Sequence, residues 1–186
     1  MKTAHTMKIA GLTRELPLCR VTDELYIGAF VMFGDVEITV AAAKELLSRA
    51  PEFDVIVTAE AKGIPLAYEM ARQSGKYHYI VARKYPKLYM KNVYTAKVRS
   101  ITTDKEQNLY LDQEDADYIR GRRVLIVDDV ISTGESLYGV EQLVNSVEGN
   151  IVGRMTVLAE GAAARRDDII YLEELPVFNP DGSIKA

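Results

Sequence analysis

Two adjacent carboxylates, Asp128 and Asp129, stand between the apolar run Val124 to Val127 and the hydroxyl-rich turn Ser132-Thr133-Gly134-Glu135-Ser136. An unbroken apolar run of this length is the signature of a strand buried on both faces of a parallel sheet. The turn leads into a helical pattern, Leu137, Val140, Leu143 and Val144. Strand, turn and helix N-terminus in that order make an anion site, because free backbone N–H groups and the positive end of the helix dipole face the turn. Ser132, Thr133 and Ser136 add hydroxyl donors, and Gly134 lets the backbone approach a phosphate closely. The expected ligand is a phosphate monoester. The acid pair beside it suits sugar hydroxyls or a hydrated divalent cation. Neither G-x-G-x-x-G nor G-x-x-x-x-G-K-[ST] occurs in the chain, so this is a different phosphate turn from the dinucleotide and Walker types.

Two further turns repeat the logic. Asp54 to Thr58 reads as a buried strand and runs through Ala59 into Glu60-Ala61-Lys62-Gly63, ahead of a helix carrying Ile64, Leu66, Ala67, Met70 and Ala71. Exposed amides, a permissive Gly63 and the charge of Lys62 suit a diphosphate. Tyr77 to Ala82 reads as a third strand, followed by Arg83-Lys84-Tyr85-Pro86-Lys87-Leu88. Cations at the C-terminal end of a strand lie where open α/β sheets bind ligands.

The Asp128–Asp129 stretch resembles the 5-phosphoribosyl-1-pyrophosphate (PRPP) signature of type I phosphoribosyltransferases: apolar residues, two acids, two apolar residues, then small-Thr-Gly-x-[Thr/Ser]. Asp128, Asp129, Thr133 and Gly134 match directly, Ser132 and Ser136 are conservative variants, and Glu135 stands where purine enzymes often have Gly. Glu60 and Gly63 match the Glu-x-x-Gly pyrophosphate turn of the adenine and xanthine enzymes, with Lys62 where the adenine enzymes usually have Arg. Arg83, Lys84, Lys87 and Leu88 match their Arg-Lys-x-x-Lys-Leu pattern.

The resemblance implies transfer of a phosphoribosyl group from PRPP to a purine, adenine first, in purine salvage. The other readings are transfer to xanthine or to hypoxanthine/guanine, and a PRPP-binding regulator without catalysis. It implies Asp128 and Asp129 as catalytic residues that hold the ribose or, indirectly, Mg²⁺. Ser132 to Ser136 would take the 5′-phosphate, and Glu60 to Gly63 with Arg83, Lys84 and Lys87 the pyrophosphate. A non-proline cis bond is expected near Ala61-Lys62. Phe33 and Asp35 look like a loosened form of the family's base-binding hood segment. The family's catalytic lid would fall on the ribbon around residues 93–112. There Glu106 is the expected catalytic acid, with Glu114 beyond it. A homodimer is expected.

These residues need elements to hold them. Thr6 to Leu12 and Leu16 to Val21 read as short strands around Arg14 and Pro17, and Tyr26 to Phe33 as a strand or buried loop. Ile38 to Ala50 reads as an amphipathic helix with Val40, Ala43, Leu46 and Leu47 on its buried face, stopped by Pro51. Val93 to Asp112 alternates as a two-stranded ribbon with a mobile polar tip. Ile151 to Ala159 and Ile169 to Leu172 supply the last buried strands, Leu175 to Phe178 packs the end, and Asn179 to Ala186 frays.

With 186 residues, 48% of them hydrophobic, the chain fits one domain of α/β class: a doubly wound, mostly parallel sheet flanked by helices, with a small N-terminal hood (about 1–35) and a flexible ribbon lid. A net charge of −4 argues against nucleic acid as a partner. A single Cys excludes a disulfide framework and fits the cytoplasm, and two His far apart give no zinc spacing. No stretch has the length and apolarity of a signal peptide or membrane span.

Overall fold

The computed structural model describes residues 2–99 and 106–185. Five strands form a wholly parallel sheet in the order β10-β9-β8-β4-β5. They are β4 (Val55–Ala59), β5 (Tyr79–Ala82), β8 (Arg123–Ile131), β9 (Asn150–Glu160) and β10 (Ile170–Leu175). The side chains divide by the period-2 alternation of strands. Val55, Val57, Val124 and Ile126 pack on one face, while Ile56, Leu125 and Val127 pack on the other.

The first face is covered by helices α3 (Gln113–Ile119) and α4 (Glu135–Ser146) and by the antiparallel ribbon of β6 (Tyr94–Arg99) and β7 (Glu106–Leu111). The second is covered by α1 (Val36–Leu47) and α2 (Ile64–Ser74). A second, antiparallel sheet, β1-β2-β3-β11, joins the hairpin of β1 (Ala4–Ile9) and β2 (Leu12–Arg20) to β3 (Tyr26–Gly28) and β11 (Val177–Phe178).

Several expectations change here. The hood is built from both ends of the chain, because β11 pairs with β3 through Phe178↔Tyr26 and Val177↔Ile27. The segment after it does not fray: Lys2 N donates to Asp181 O at 3.2 Å, Lys185 N to Val177 O at 2.8 Å, and Gly182 is buried against Lys2 and Leu18. Leu12 to Arg20 is one strand running through Arg14 and Pro17. Only Tyr26–Gly28 of the next segment is strand.

Helix α1 starts earlier than expected because Asp35 caps it, accepting from Ile38 N at 3.1 Å. Its buried face is Ile38, Thr39, Ala42, Ala43 and Leu46, which leaves Val40 exposed. Asp112 caps α3 in the same way, a helix the ribbon pattern had obscured.

Candidate active site

The C-terminal ends of the parallel strands meet in a cavity of about 460 Å³, lined by Ile27–Val31, Ala59–Lys62, Lys84, Asp128–Val130, Ser132, Ser136, Glu160 and Leu175. Beside it, a 50 Å³ hollow is enclosed by Asp128 and by Val130 to Leu137. The hollow is the turn singled out from the sequence. Gly134 adopts φ +81 as the N-terminal cap of α4 and offers no side chain to it, while Thr133 Oγ1 is a long acceptor for Glu135 N at 3.5 Å. The turn sets the N-terminal end of α4, with its positive dipole end, at the hollow, as an anion requires.

β8 carries Asp128 and Asp129 to the cavity floor. Asp129 is 2% exposed. Lys62 Nζ stands 3.5 Å from Asp129 Oδ2 as an ion pair, and Oδ2 accepts no hydrogen bond from the described residues. Asp128 Oδ1 accepts from Asp129 N at 2.9 Å. Burial, and then the neighbouring charge of Asp129, push the Asp128 carboxyl well above the ordinary carboxylate range. The Asp128 carboxyl therefore favours its protonated form.

The turn after β4 holds a cis peptide at Glu60–Ala61, one bond before the expected place. Gly63 has a packing reason beyond ligand access. A Cβ there would lie 2.3 Å from Thr58 Oγ1 and 3.0 Å from Asp128 Oδ1, so only glycine lets the start of α2 rest on the acid pair.

Glu60 turns toward the cations that follow β5. It accepts from Lys84 N at 2.9 Å and Arg83 Nη1 at 3.3 Å, and Lys87 Nζ lies 4.0 Å away. The Lys84 amide, then the charges of Lys87 and Arg83, hold its carboxyl below the ordinary range despite partial burial. Glu60 thus orders the basic turn. A carboxylate does not itself attract a diphosphate. Arg83 also pairs by backbone with Tyr110 of β7, which ties the ribbon to the basic turn.

The structure brings together Glu60, Ala61, Lys62, Lys84, Asp128, Asp129, Ser132 and Ser136 in the large cavity, with Thr133, Gly134 and Glu135 around the hollow. Phe33 and Asp35 are not part of it. Asp35 caps α1, and its carboxylate is held below its usual range by Arg14, whose Nε and Nη2 lie 2.7 and 3.0 Å away. Phe33 is exposed outside the cavity, and the wall on that side is Ile27–Val31. The Glu106 side chain and residues 100–105 lie outside the described residues. Glu114 sits in the first turn of α3, on a different hollow.

Sequence reasoning missed Glu160 and Leu175 in the wall and Arg166 beside the phosphate turn. Glu160 carries the same signal as Asp128, an acid ending a buried strand. The Arg166 guanidinium, held by Asp168 at 2.7 and 2.8 Å, lies 2.7 Å from where a Cβ on Gly134 would stand.

Among the described residues no group of three or more His, Cys, Asp or Glu is placed to hold a metal. The Asp128–Asp129 pair suits a hydrated cation held chiefly by its ligand's oxygens. No described helix is long and apolar enough to cross a membrane.

Comparison with known proteins places this geometry. Residues 36–179 match the family model described as phosphoribosyl transferase domain. A xanthine phosphoribosyltransferase from Clostridioides difficile is 30% identical over 74% of this chain and 75% of its own length. An adenine phosphoribosyltransferase from Thermotoga petrophila is 34% identical over 60% of this chain and 65% of its own. Other curated relatives are spanned less fully, among them an orotate phosphoribosyltransferase from Caldanaerobacter subterraneus, of which the chain covers 44%. The crystal structure of adenine phosphoribosyltransferase from Thermoanaerobacter pseudethanolicus shares the fold, with a TM-score of 0.64 at 22% identity over 77% of this chain and 84% of that one. The chain belongs to the phosphoribosyl transferase domain family.

Proposed function

From that membership we propose that the chain transfers the 5-phosphoribosyl group of PRPP to a purine, adenine first, releasing pyrophosphate. The observation that carries this is the order of chemistry along the strand ends. Cations follow β5 and β4, two carboxylates end β8, and a hydroxyl-lined amide turn opens α4. Two anion sites on either side of an acidic floor match a sugar bearing a diphosphate and a monophosphate.

In this reading Ser132 to Ser136 and the α4 amides take the 5′-phosphate. Lys62, Lys84 and, behind them, Arg83 and Lys87 draw the pyrophosphate. Asp128 and Asp129 orient the ribose hydroxyls. A ring nitrogen of the base attacks C1, the bond from C1 to the pyrophosphate oxygen breaks, and configuration inverts. Charge leaves with the pyrophosphate, so the fixed cations lower the barrier more than they tighten the ground state. The base loses its N–H proton to the acid pair or to water. Glu106 on the ribbon is the proposed lid acid. Mg²⁺, held by PRPP oxygens and waters near the acid pair, would neutralise diphosphate charge.

The test is a panel with PRPP and Mg²⁺ against adenine, hypoxanthine, guanine, xanthine, uracil and orotate, scored as nucleotide formed. Adenine as the best substrate is the expected outcome. The coverage of the xanthine relative, 75% of its length, makes xanthine the second reading. Pairing of two copies is supported by the exposed apolar side chains Val36, Val40 and Tyr68, which share a hollow at the start of α1 and α2. Light scattering would read a dimer mass.

A further inference from the structure

The carboxylates around the large cavity differ in what already holds them. Glu60 is taken up by the basic turn, Asp129 faces Lys62, and Asp128 accepts an amide. Glu160, half-buried at the end of β9, makes no hydrogen bond or ion pair with any described residue, yet it lines the cavity. Burial pushes its carboxyl above the ordinary range, against the opposing charge of Lys62. A half-buried carboxylate to which the described chain offers no donor is open to one from a ligand, and a ligand's N–H groups are its natural complement.

Its place along the sheet says which ligand part it meets. The order β10-β9-β8-β4-β5 puts the cationic turns at one side, the acid pair in the middle and Glu160 one strand further on. If the diphosphate lies over β4 and β5 and the ribose over β8, the acceptor base continues toward β9. The walls there are apolar: Ile27 to Val31, at the end of β3 and just beyond it, Val130, and Leu175, which is the β10 partner of Glu160. Apolar walls suit the faces of a flat ring, and Glu160 is the charged group beside them that can read its edge.

Resting on the transfer reading, we propose that Glu160 is a specificity-determining residue. It accepts a hydrogen bond from the exocyclic amine of the acceptor purine and rejects an oxo group at that position. A carboxylate facing an oxo oxygen leaves two acceptors opposed without a proton between them. This is the kind of mismatch that separates substrates strongly.

The experiment compares wild type with Glu160→Gln and Glu160→Asp in the full chain. The readouts are kcat/KM for adenine and for hypoxanthine, KM for PRPP, and melting temperature. The isosteric amide keeps an oxygen that accepts from an amine and adds an NH2 that donates to an oxo group, so Glu160→Gln should keep adenine activity within about tenfold and raise kcat/KM for hypoxanthine. It should raise the hypoxanthine-to-adenine ratio by at least about tenfold while KM for PRPP changes less than about twofold. Glu160→Asp should keep the amino preference with a higher KM for adenine, which separates loss of the carboxylate from misfolding. A ratio unmoved by Glu160→Gln at unchanged melting temperature overturns the assignment while leaving the transfer reading intact. So does a wild type that prefers an oxopurine. A wild type that forms no nucleotide from any base overturns the transfer reading itself.

Discussion

Glu60 and the Asp128–Asp129 pair are acids in the same topological position. Glu60 follows β4, the pair lies near the C-terminal end of β8, and all three line the cavity at that edge of the sheet. Their surroundings differ. Glu60 meets an amide and two cationic side chains, and its carboxyl is held below the ordinary range. The pair on β8 meets one lysine at 3.5 Å and one amide, and Asp128 is pushed up instead. What separates a structural carboxylate from a chemically available one is how many donors the fold supplies against the desolvation it imposes.

The sharpest way to break that comparison is to neutralise the pair. Asp128→Asn or Asp129→Asn should lower turnover by about 10²-fold or more. Melting temperature should hold or rise, because a carboxyl whose ionisation burial and its neighbour both oppose is replaced by a neutral amide. Wild-type rates with every base in either variant would show that the pair is structural too.

Next in size is the glycine that seats α2 on the pair. Gly63→Ala forces a Cβ to within 2.3 Å of Thr58 Oγ1. Overpacking of this kind should cost about 1–3 kcal/mol by denaturant unfolding. Thr58→Ala in the same chain should recover part of it, and two losses that simply add would refute the contact.

The pair and a salt bridge at the opposite edge of the sheet should respond to pH with opposite signs. Asp128 has a raised folded value, so the folded state holds a proton the unfolded chain has lost. Its contribution falls as pH rises from the ordinary carboxylate value of 3.8 toward the raised one. Asp54, paired with Arg123, is lowered to about 2, so its contribution is present above 3.8 and is lost as pH falls between these values. Melting curves of wild type and Asp128→Asn across this range should therefore diverge in the variant's favour with rising pH. Parallel curves would remove the Asp128 assignment.

The smallest effect is expected at Glu60. Its ion pairs are part-exposed, so Glu60→Gln should raise KM for PRPP by roughly two- to fivefold with kcat nearly unchanged. A loss as large as that of the Asp variants would erase the distinction between the two regions.

Much of the fold was legible because its signals are local. Val124 to Val127 is apolar throughout and Val55 to Ala59 is apolar but for Thr58, and each does lie inside a parallel sheet. Helix α1 starts at Val36 because Asp35 caps it, two residues before the apolar pattern begins at Ile38, and its buried face leaves Val40 outward. Helix α3 is short and polar, and its one strong signal, Asp112 capping Asp115, lies at the end of a ribbon pattern. The chain end looked loose because the strand that holds it, β3, lies far away in sequence.

The sequence by itself determined the local chemistry: which turns carry amides, hydroxyls, cations and acids, and that each follows a buried strand. Those features depend on neighbours a few residues apart. Tertiary structure decided which acids are satisfied, because Glu60 finds its donors beyond β5 and Glu160 finds none among the described residues. It also decided that Ile27 to Val31, not Phe33 and Asp35, form the wall above them. Desolvation and hydrogen-bond satisfaction are set by whichever residues arrive from elsewhere in the chain, and no local pattern records them.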